Sequence, residues 1–234
     1  MFVPIYDDNR LKYIKFQYVT LFLIALNVTC FVFESSGIAA NVIASFALVP
    51  VELLAVHVFG GHAAFSAEAL PIPEVYTLFT YMFFHGDPLH IAGNMLFLWV
   101  FGDNVEDACG HWRFLLLYLA CGVIGGLTHV LMQANSNVPL VGASGAVAGV
   151  ISAYLVLHPR VRVWVLAFKF IPLRIPAAWL LGAWIALQVI MLLLPQSGPI
   201  AWWAHIGGIV SGAVLVVILR RPGVILFDQR LQQT

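Results

Sequence analysis

Three short polar motifs interrupt apolar stretches of the sequence, and the first of them contains a potential nucleophile. Ser144 stands in the sequence Gly142-Ala143-Ser144-Gly145, which is similar to the glycine-flanked nucleophile turns of serine hydrolases. Glycines permit a sharp turn there and a close approach of a substrate backbone. The alternative interpretation is helix packing, because Gly145 and Gly149 form a face of small residues.

The second motif contains a potential general base. His205 is followed by Gly207 and Gly208 within an apolar run, and a neutral histidine can take the proton of a serine hydroxyl. Gly208 and Gly212 have the spacing that lets two helices pack closely. A buried structural hydrogen bond and a proton relay are the alternative roles for this histidine.

The third motif could stabilise negative charge. His90 and Asn94 are four residues apart, so both lie on one face of a helix. Both side chains can donate hydrogen bonds to an oxyanion, and so can the backbone N–H of Ser144 if that residue begins a helix. A purely structural hydrogen-bonded pair is the alternative for His90 and Asn94.

The chain that must position these residues is too apolar for water. Of its 234 residues, 62% are hydrophobic and 9% are charged, whereas about a quarter of the residues in a soluble domain are charged. The formal net charge is zero, so we expect no nucleic-acid partner. The composition predicts an integral membrane protein that folds in the lipid bilayer.

Six apolar stretches are candidate membrane spans, because about 20 apolar residues cross the hydrocarbon core as a helix. They are residues 14–33, 89–105, 112–132, 144–157, 176–194 and 201–219. We therefore predict an all-α membrane protein, a six-transmembrane-helix bundle with a partly embedded outer loop between helices 1 and 2. The chain is predicted to form one domain over residues 1–234, with an N-terminal segment 1–13, a core 14–219 and a C-terminal tail 220–234.

The basic residues support six spans. All eleven lie at the two ends of the chain or in the second-to-third and fourth-to-fifth connections, and none lies in residues 34–88, 133–143 or 195–200. Six spans place all four basic segments on one side, and the positive-inside rule makes that side cytoplasmic. A seventh span hidden in residues 34–88 would break this segregation.

The same topology brings the three motifs to one depth. The second, fourth and sixth spans all run inwards, and His90, Ser144 and His205 lie near their starts. The fourth span has 14 residues, about 21 Å of helix, so Ser144 is expected roughly 10 Å below the outer surface. Residues 135–143 would then line a water-accessible cavity.

Taken together, these motifs resemble the rhomboid family of intramembrane serine proteases. The resemblance covers roughly residues 76–219 and rests on the following blocks: Phe84-His85-Gly86, His90 to Asn94, Phe101-Gly102 with Glu106, Gly142 to Gly145, and Ala204-His205 with Gly208. It implies a six-helix core and a serine–histidine dyad without an aspartate. It also implies cleavage in or near the transmembrane helix of a membrane-protein substrate.

The resemblance assigns a role to each matching residue. Ser144 matches the nucleophile and His205 the base. His90 and Asn94, with the backbone N–H of Ser144, match the oxyanion site, and Gly142 matches the substrate-site glycine beside the nucleophile. No metal and no cofactor are expected, since the HExxH pattern of intramembrane metalloproteases is absent.

Two positions depart from the family pattern, and both affect how the site is arranged. Many rhomboids place an aromatic residue four positions after the serine, where this chain has Ala148. Residues 34–88 also lack the Trp-Arg pair found in some members.

Glu106 matches a structural acid in the second-to-third connection. By analogy with the family, the fifth span and residues 195–199 are expected to gate substrate entry.

We predict a serine endopeptidase in a bacterial inner membrane, and an organelle membrane is the alternative location. Both termini are expected to be cytoplasmic, and the active site is expected to open to the outer side. Its partners would be transmembrane protein substrates. A non-catalytic rhomboid-like factor for membrane-protein binding or quality control is the main alternative. A proton-relay transporter using His90, His129 and His205 is a second alternative. The scattered Cys30, Cys109 and Cys121 predict packing roles.

Overall fold

The computed structural model describes residues 2–36, 45–58, 72–167, 170–194 and 200–227, and this part of the chain is mainly helical. Its α-helices are α1 (Tyr18–Ser35), α2 (Pro50–Val58), α3 (Thr77–Thr80), α4 (Pro88–Cys109), α5 (His111–Met132), α6 (Ser144–Leu157), α7 (Ala177–Leu193) and α8 (Trp202–Leu219). Its strands are β1 (Phe2–Asp7), β2 (Arg162–Ala167) and β3 (Ile171–Pro176).

A helix occupies each of the six predicted spans. In length and composition, α1, α5 and α8 suit a membrane crossing, whereas α6 and α7 are apolar but shorter. The fourth helix has the predicted bounds, Ser144–Leu157. The helix α1 begins at Tyr18 rather than at residue 14. The helix α4 continues to Cys109 and stops where Gly110 adopts a φ of 87°.

The described chain is mainly helical, as predicted, but it is not all-α, because three strands form an antiparallel sheet in the order β1-β2-β3. β1 lies before the first predicted span and pairs with β2 in the fourth-to-fifth connection. The guanidinium of Arg174 in β3 also pairs with the Asp8 carboxylate at 2.5 Å. The sheet therefore joins two of the four basic segments.

The other two basic segments lie at the same end of the bundle. The carboxylate of Asp107, near the end of α4, accepts hydrogen bonds from the backbone N–H groups of Lys12, Tyr13 and Ile14 at 2.7–2.9 Å. The chain beyond α8 returns to the α4–α5 turn, where the Arg221 N–H donates to the Ala108 carbonyl at 2.8 Å. All four segments predicted to share one side of a membrane thus meet in the fold.

The helix α6 is central, since 11 of its 14 residues are buried. Two glycine pairs allow α8 to approach it closely. A Cβ atom at Gly208 would collide with the carbonyl oxygen of Gly145, and one at Gly212 would collide with the backbone of Gly149. The packing interpretation of these glycines is therefore confirmed. The predicted packing role also holds for Cys121, which is buried against Gly149.

The described parts of the long outer segment pack against the helical core. Leu48 and Leu140 exchange backbone hydrogen bonds of 3.0 and 2.9 Å, and Leu53 of α2 is buried. Tyr81 is buried as well and donates its hydroxyl to the Gly122 carbonyl at 2.7 Å. Residues 37–44 and 59–71 of this segment lie outside the described residues, as does the proposed gating connection 195–199.

Candidate active site

Ser144 is the first residue of α6, as predicted. The turn before it depends on Gly142, which has a φ of 124°, in the left-handed region that favours glycine. The Gly142 N–H donates to the Tyr81 carbonyl at 2.9 Å, which ties the turn to the outer segment. The Ser144 hydroxyl therefore stands at a helix N-terminus, where backbone N–H groups lack helical acceptors and favour negative charge.

The base candidate faces this serine directly. His205 lies in the first turn of α8 and is 9% exposed. Its Nε2 atom lies 2.9 Å from the Ser144 hydroxyl oxygen, within the distance that proton transfer from a nucleophile to its base requires. The glycine contacts between α6 and α8 bring these two side chains together. The packing and catalytic interpretations of the glycine motifs are thus compatible.

The sequence prediction missed Gln188 of α7 as a member of this cluster. Its Oε1 atom lies 2.8 Å from the Nδ1 atom of His205, on the opposite side of the ring from Ser144. Two indole rings flank the same imidazole, Trp202 edge-on at 5.9 Å and Trp184 tilted at 6.2 Å between centroids. These contacts orient His205 even though Ala148 carries no ring.

The two predicted oxyanion donors stand at the start of α4, whose N-terminus is capped by the Asp87 carboxylate. The His90 ring lies against Gly142, since a Cβ atom there would be 2.6 Å from His90 Cε1. The Asn94 side chain is buried, and its Nδ2 atom lies 3.0 Å from His85 Nε2. His90 thus borders the turn that leads into α6, and Asn94 is connected to that turn through His85.

The second missed residue is His85, which belongs to the quoted motif but was given no role. It is buried, and its Nε2 atom lies 3.4 Å from the backbone nitrogen of Ala143. A backbone N–H can only donate, so Nε2 is the acceptor and carries no proton. Burial, reinforced by the neighbouring His90, lowers the pKa of His85 to about 4. His85 is therefore neutral at physiological pH and joins Asn94 to the nucleophile turn.

The remaining predicted residue, Glu106, has a structural position. It lies in the last turn of α4 rather than in the following connection, at the end of the bundle opposite Ser144. Its buried carboxylate accepts hydrogen bonds from the Val19 and Thr20 backbone N–H groups at 3.0 and 2.8 Å. These groups begin α1, so Glu106 supplies the cap that the sequence of α1 itself lacks.

The site thus combines a serine hydroxyl at a helix N-terminus, an imidazole within hydrogen-bond distance of it, and two side chains able to donate hydrogen bonds nearby. This is the set of groups that acyl transfer needs. Within the described part of the chain, no group of three His, Cys, Asp or Glu side chains is arranged to hold a metal ion.

Comparisons with known proteins identify the family. A family model for the Rhomboid domain matches residues 73–222. RHOMBOID-like protein 1 of Arabidopsis thaliana is 35% identical over 159 residues, which cover 67% of this chain and 38% of that protein. Rhomboid protease GluP of Bacillus subtilis (strain 168) is 32% identical over 158 residues, which cover 68% of this chain and 29% of that protein.

The mitochondrial RHOMBOID-like protein 12 of Arabidopsis thaliana is 31% identical over 165 residues, 63% of this chain and 47% of that relative. The chain therefore spans less than half the length of these curated relatives. The family match nevertheless covers well over half of the chain itself. Together with the apolar helices, it establishes that this integral membrane protein belongs to the rhomboid family.

Proposed function

We propose that this chain is an intramembrane serine endopeptidase that hydrolyses peptide bonds in or near the transmembrane segments of membrane proteins. The observation that carries the proposal is the 2.9 Å separation between Ser144 Oγ and His205 Nε2 at the N-terminus of α6. The similarity to a relative named as a protease, GluP of Bacillus subtilis, agrees with this assignment.

In the first half of the reaction, His205 Nε2 takes the hydroxyl proton of Ser144, whose oxygen attacks the scissile carbonyl carbon. The resulting oxyanion accepts hydrogen bonds from the Ser144 backbone N–H, His90 and Asn94. One such donor typically contributes about 3–4 kcal/mol of transition-state stabilisation. His205 then passes its proton to the departing amine, the C–N bond breaks, and an acyl-enzyme remains.

In the second half, a water molecule gives its proton to His205 and attacks the acyl carbon. The tetrahedral intermediate collapses, the carboxylic acid product leaves, and the proton returns from His205 to the Ser144 oxygen. The reaction consumes one water per peptide bond and needs no cofactor in this scheme. A helical substrate must unwind locally beforehand, because a helix buries its carbonyl groups in its own hydrogen bonds.

The proposal includes a topology of six spans with both termini in the cytoplasm and the active site open to the outer side, in a bacterial inner membrane. This topology is supported by the positions of the basic segments and of the active-site residues at opposite ends of the helical bundle. The basic segments meet at one end of the fold, beside Asp107 and the sheet. Ser144, His90 and His205 lie towards the other end, at the starts of the three helices that run inwards.

The test is cleavage by the purified protein in detergent and in liposomes. The probe is a single-span fusion protein with glycine and proline residues near the outer end of its transmembrane helix, where unwinding is easiest. We expect the intact chain to cleave this probe, and we expect Ser144→Ala and His205→Ala to reduce cleavage to background. Cleavage that survives Ser144→Ala would exclude the mechanism.

A matched serine variant controls for loss of folding. Ser152 lies two turns further along α6 and donates its hydroxyl to backbone carbonyls of Gly149 and Ile209. Ser152→Ala should retain both cleavage and labelling by a serine-directed phosphonate, whereas Ser144→Ala should lose both. Binding of membrane proteins without cleavage or labelling would instead favour the non-catalytic rhomboid-like factor.

A further inference from the structure

Gln188 occupies an unusual position in α7. Within residues 182–193 it is the one buried side chain, at 3% exposure. Its neighbours Leu187 and Ile190 are 48% and 53% exposed and face outwards. An amide in an apolar helix is costly to bury unless its groups are hydrogen-bonded. The inward orientation of Gln188 therefore points to a specific partner within the bundle.

The hydrogen bonds of Gln188 fix the orientation of its amide. Its Nε2 atom donates to the Trp184 carbonyl at 3.1 Å, and a carbonyl can only accept. The other amide atom, the oxygen Oε1, therefore faces His205 Nδ1 at 2.8 Å. Reversing the amide would place its oxygen against the carbonyl oxygen of Trp184, which would repel it.

The amide orientation in turn fixes the proton on the imidazole. An amide oxygen can only accept, so the proton of neutral His205 must lie on Nδ1. The Nε2 atom then has a free lone pair, 2.9 Å from the Ser144 hydroxyl. The Ser144 hydroxyl can donate to this lone pair. Each of the three hydrogen bonds that connect Trp184, Gln188, His205 and Ser144 then has one donor and one acceptor.

We propose that Gln188 is a positioning residue that holds His205 in the tautomer in which Nδ1 carries the proton. In a serine–histidine–aspartate triad, a carboxylate performs this task. The membrane interior disfavours a buried carboxylate, whereas a neutral amide supplies the same acceptor without a charge. The effect of Gln188 on turnover rests on the function proposed above. The assignment of the His205 tautomer does not depend on that function.

The first test measures the tautomer itself. The protein is labelled with ¹³C and ¹⁵N in histidine, reconstituted in lipid and studied by solid-state NMR, and the His205 signals are assigned by their loss in His205→Ala. We expect the Nδ1–H form in the intact protein. In Gln188→Met, which keeps the side-chain length but removes the amide, we expect a mixture with the Nε2–H form. An intact protein with the proton of His205 on Nε2 would overturn the proposal.

The second test separates kcat from KM in cleavage of the single-span probe. Removal of the group that orients a metal-bound histidine typically lowers activity by about 10- to 100-fold, and by analogy we expect a loss of this order in the kcat of Gln188→Met. KM should stay unchanged, because substrate binding does not depend on the tautomer. Ile190→Met places the same new side chain on the outward face of α7, the span expected to gate substrate entry, and is therefore the reference variant. The kcat of Gln188→Met should be about 10- to 100-fold below that of Ile190→Met.

The two tests also distinguish failure of this inference from failure of the proposed function. A Gln188→Met variant with the kcat of the Ile190→Met control would overturn the positioning role. If the intact protein does not cleave, or if Ser144→Ala still cleaves, the proposed function fails. The NMR measurement still decides the role of Gln188 in that case, because it requires no substrate.

Discussion

The amide of Asn94 is anchored by a histidine that precedes its own helix, with 3.0 Å between Asn94 Nδ2 and His85 Nε2. The same His85 nitrogen also lies 3.4 Å from the Ala143 backbone nitrogen, beside the nucleophile. One N–H of the Asn94 amide is therefore used within the protein, which fixes the direction of the second. His85 thus relates to Asn94 as Gln188 relates to His205.

The hydrogen bond between His85 and Asn94 predicts that His85→Leu lowers kcat, although His85 itself does not contact the reacting atoms. We expect a loss of about 10- to 100-fold, because the unanchored amide no longer points in one direction. Asn94→Ala should lower kcat by about 100- to 1,000-fold if Asn94 is an oxyanion donor. Both are measured by cleavage of the single-span probe, with helix content checked by circular dichroism.

The double variant makes the prediction sharper. If the effect of His85 on turnover passes through Asn94, the combination of His85→Leu and Asn94→Ala should be no slower than Asn94→Ala alone. A further loss in the double variant would measure the separate contact of His85 with the Ala143 N–H. Losses that multiply would mean that the two residues contribute independently. Unaltered kinetics in Asn94→Ala would remove that residue from the site.

The glycine contacts between α6 and α8 predict that Gly208→Ala separates the serine from its base. The added methyl group would collide with the Gly145 carbonyl oxygen, one residue after Ser144. We expect overpacking to lower the free energy of unfolding by about 1–3 kcal/mol. A displacement of about 1 Å in the active site can lower turnover about 100-fold. Gly182→Ala is the control, since no atom lies within 4 Å of its added Cβ, and it should retain activity.

The role of Glu106 predicts a stability defect at the end of the bundle remote from the active site. Val19 and Thr20 donate to different oxygens of Glu106, so in Glu106→Gln the new NH₂ group faces the N–H of one of them and that hydrogen bond is lost. Hydrogen bonds to charged groups contribute roughly 1.5–3 kcal/mol each, so we expect a loss of about 2 kcal/mol.

A loss of that size lowers the apparent Tm in detergent by about 6 °C for a chain of this length. Glu52→Gln in α2 is the control, because the N–H groups of Val19 and Thr20 that begin α1 donate to Glu106 and not to Glu52. Equal Tm values for the two variants would contradict a capping role for Glu106.

Asp7 predicts a dependence of stability on pH. Tyr154 and Asn104 donate hydrogen bonds to its Oδ2 atom at 2.5 and 3.1 Å, but burial dominates and raises the pKa of Asp7 to about 7. The unfolded chain releases this proton near pH 4, so the folded state binds more protons between these values. Stability is therefore retained below pH 4 and falls as the pH rises through 7.

Between pH 6 and pH 8 this single group should remove about 1.4 kcal/mol, or about 4 °C of apparent Tm. The Asp7→Asn variant has no titrating group at residue 7. The difference in Tm between the intact chain and this variant should therefore change by about 4 °C between pH 6 and pH 8. Arg174→Gln, which removes the ion pair with Asp8 but keeps the Asp8 charge beside Asp7, should keep the pH dependence of the intact chain. A difference that stays constant with pH would contradict the prediction.

The helices were predictable from the sequence because their signals are local. An apolar run determines where each helix lies, and Gly142 before Ser144 permits the turn that starts α6 at the predicted residue. The distribution of basic residues predicted which segments meet, and their contacts agree with it. The pair of Ser144 and His205 was also predictable, because few polar residues interrupt these spans.

The sheet and the two positioning residues were not predicted, because each depends on distant partners. Residues 162–167 alternate in burial as a strand does, but that pattern does not reveal that the N-terminal segment supplies their partner. Gln188 and His205 lie 17 residues apart on different helices. The available signal was an isolated glutamine in an apolar span, which is visible in the sequence.

The pairing of β1 with β2 has a consequence for the order in which the chain assembles during synthesis. Asp7 pairs with Val163, so 156 residues separate the two partners along the chain. At roughly 5–20 residues per second, a ribosome needs about 8–30 seconds to add them. Throughout that interval β1 exposes unpaired backbone groups to any other strand nearby. This end of the bundle therefore closes only after α1 to α6 have been made.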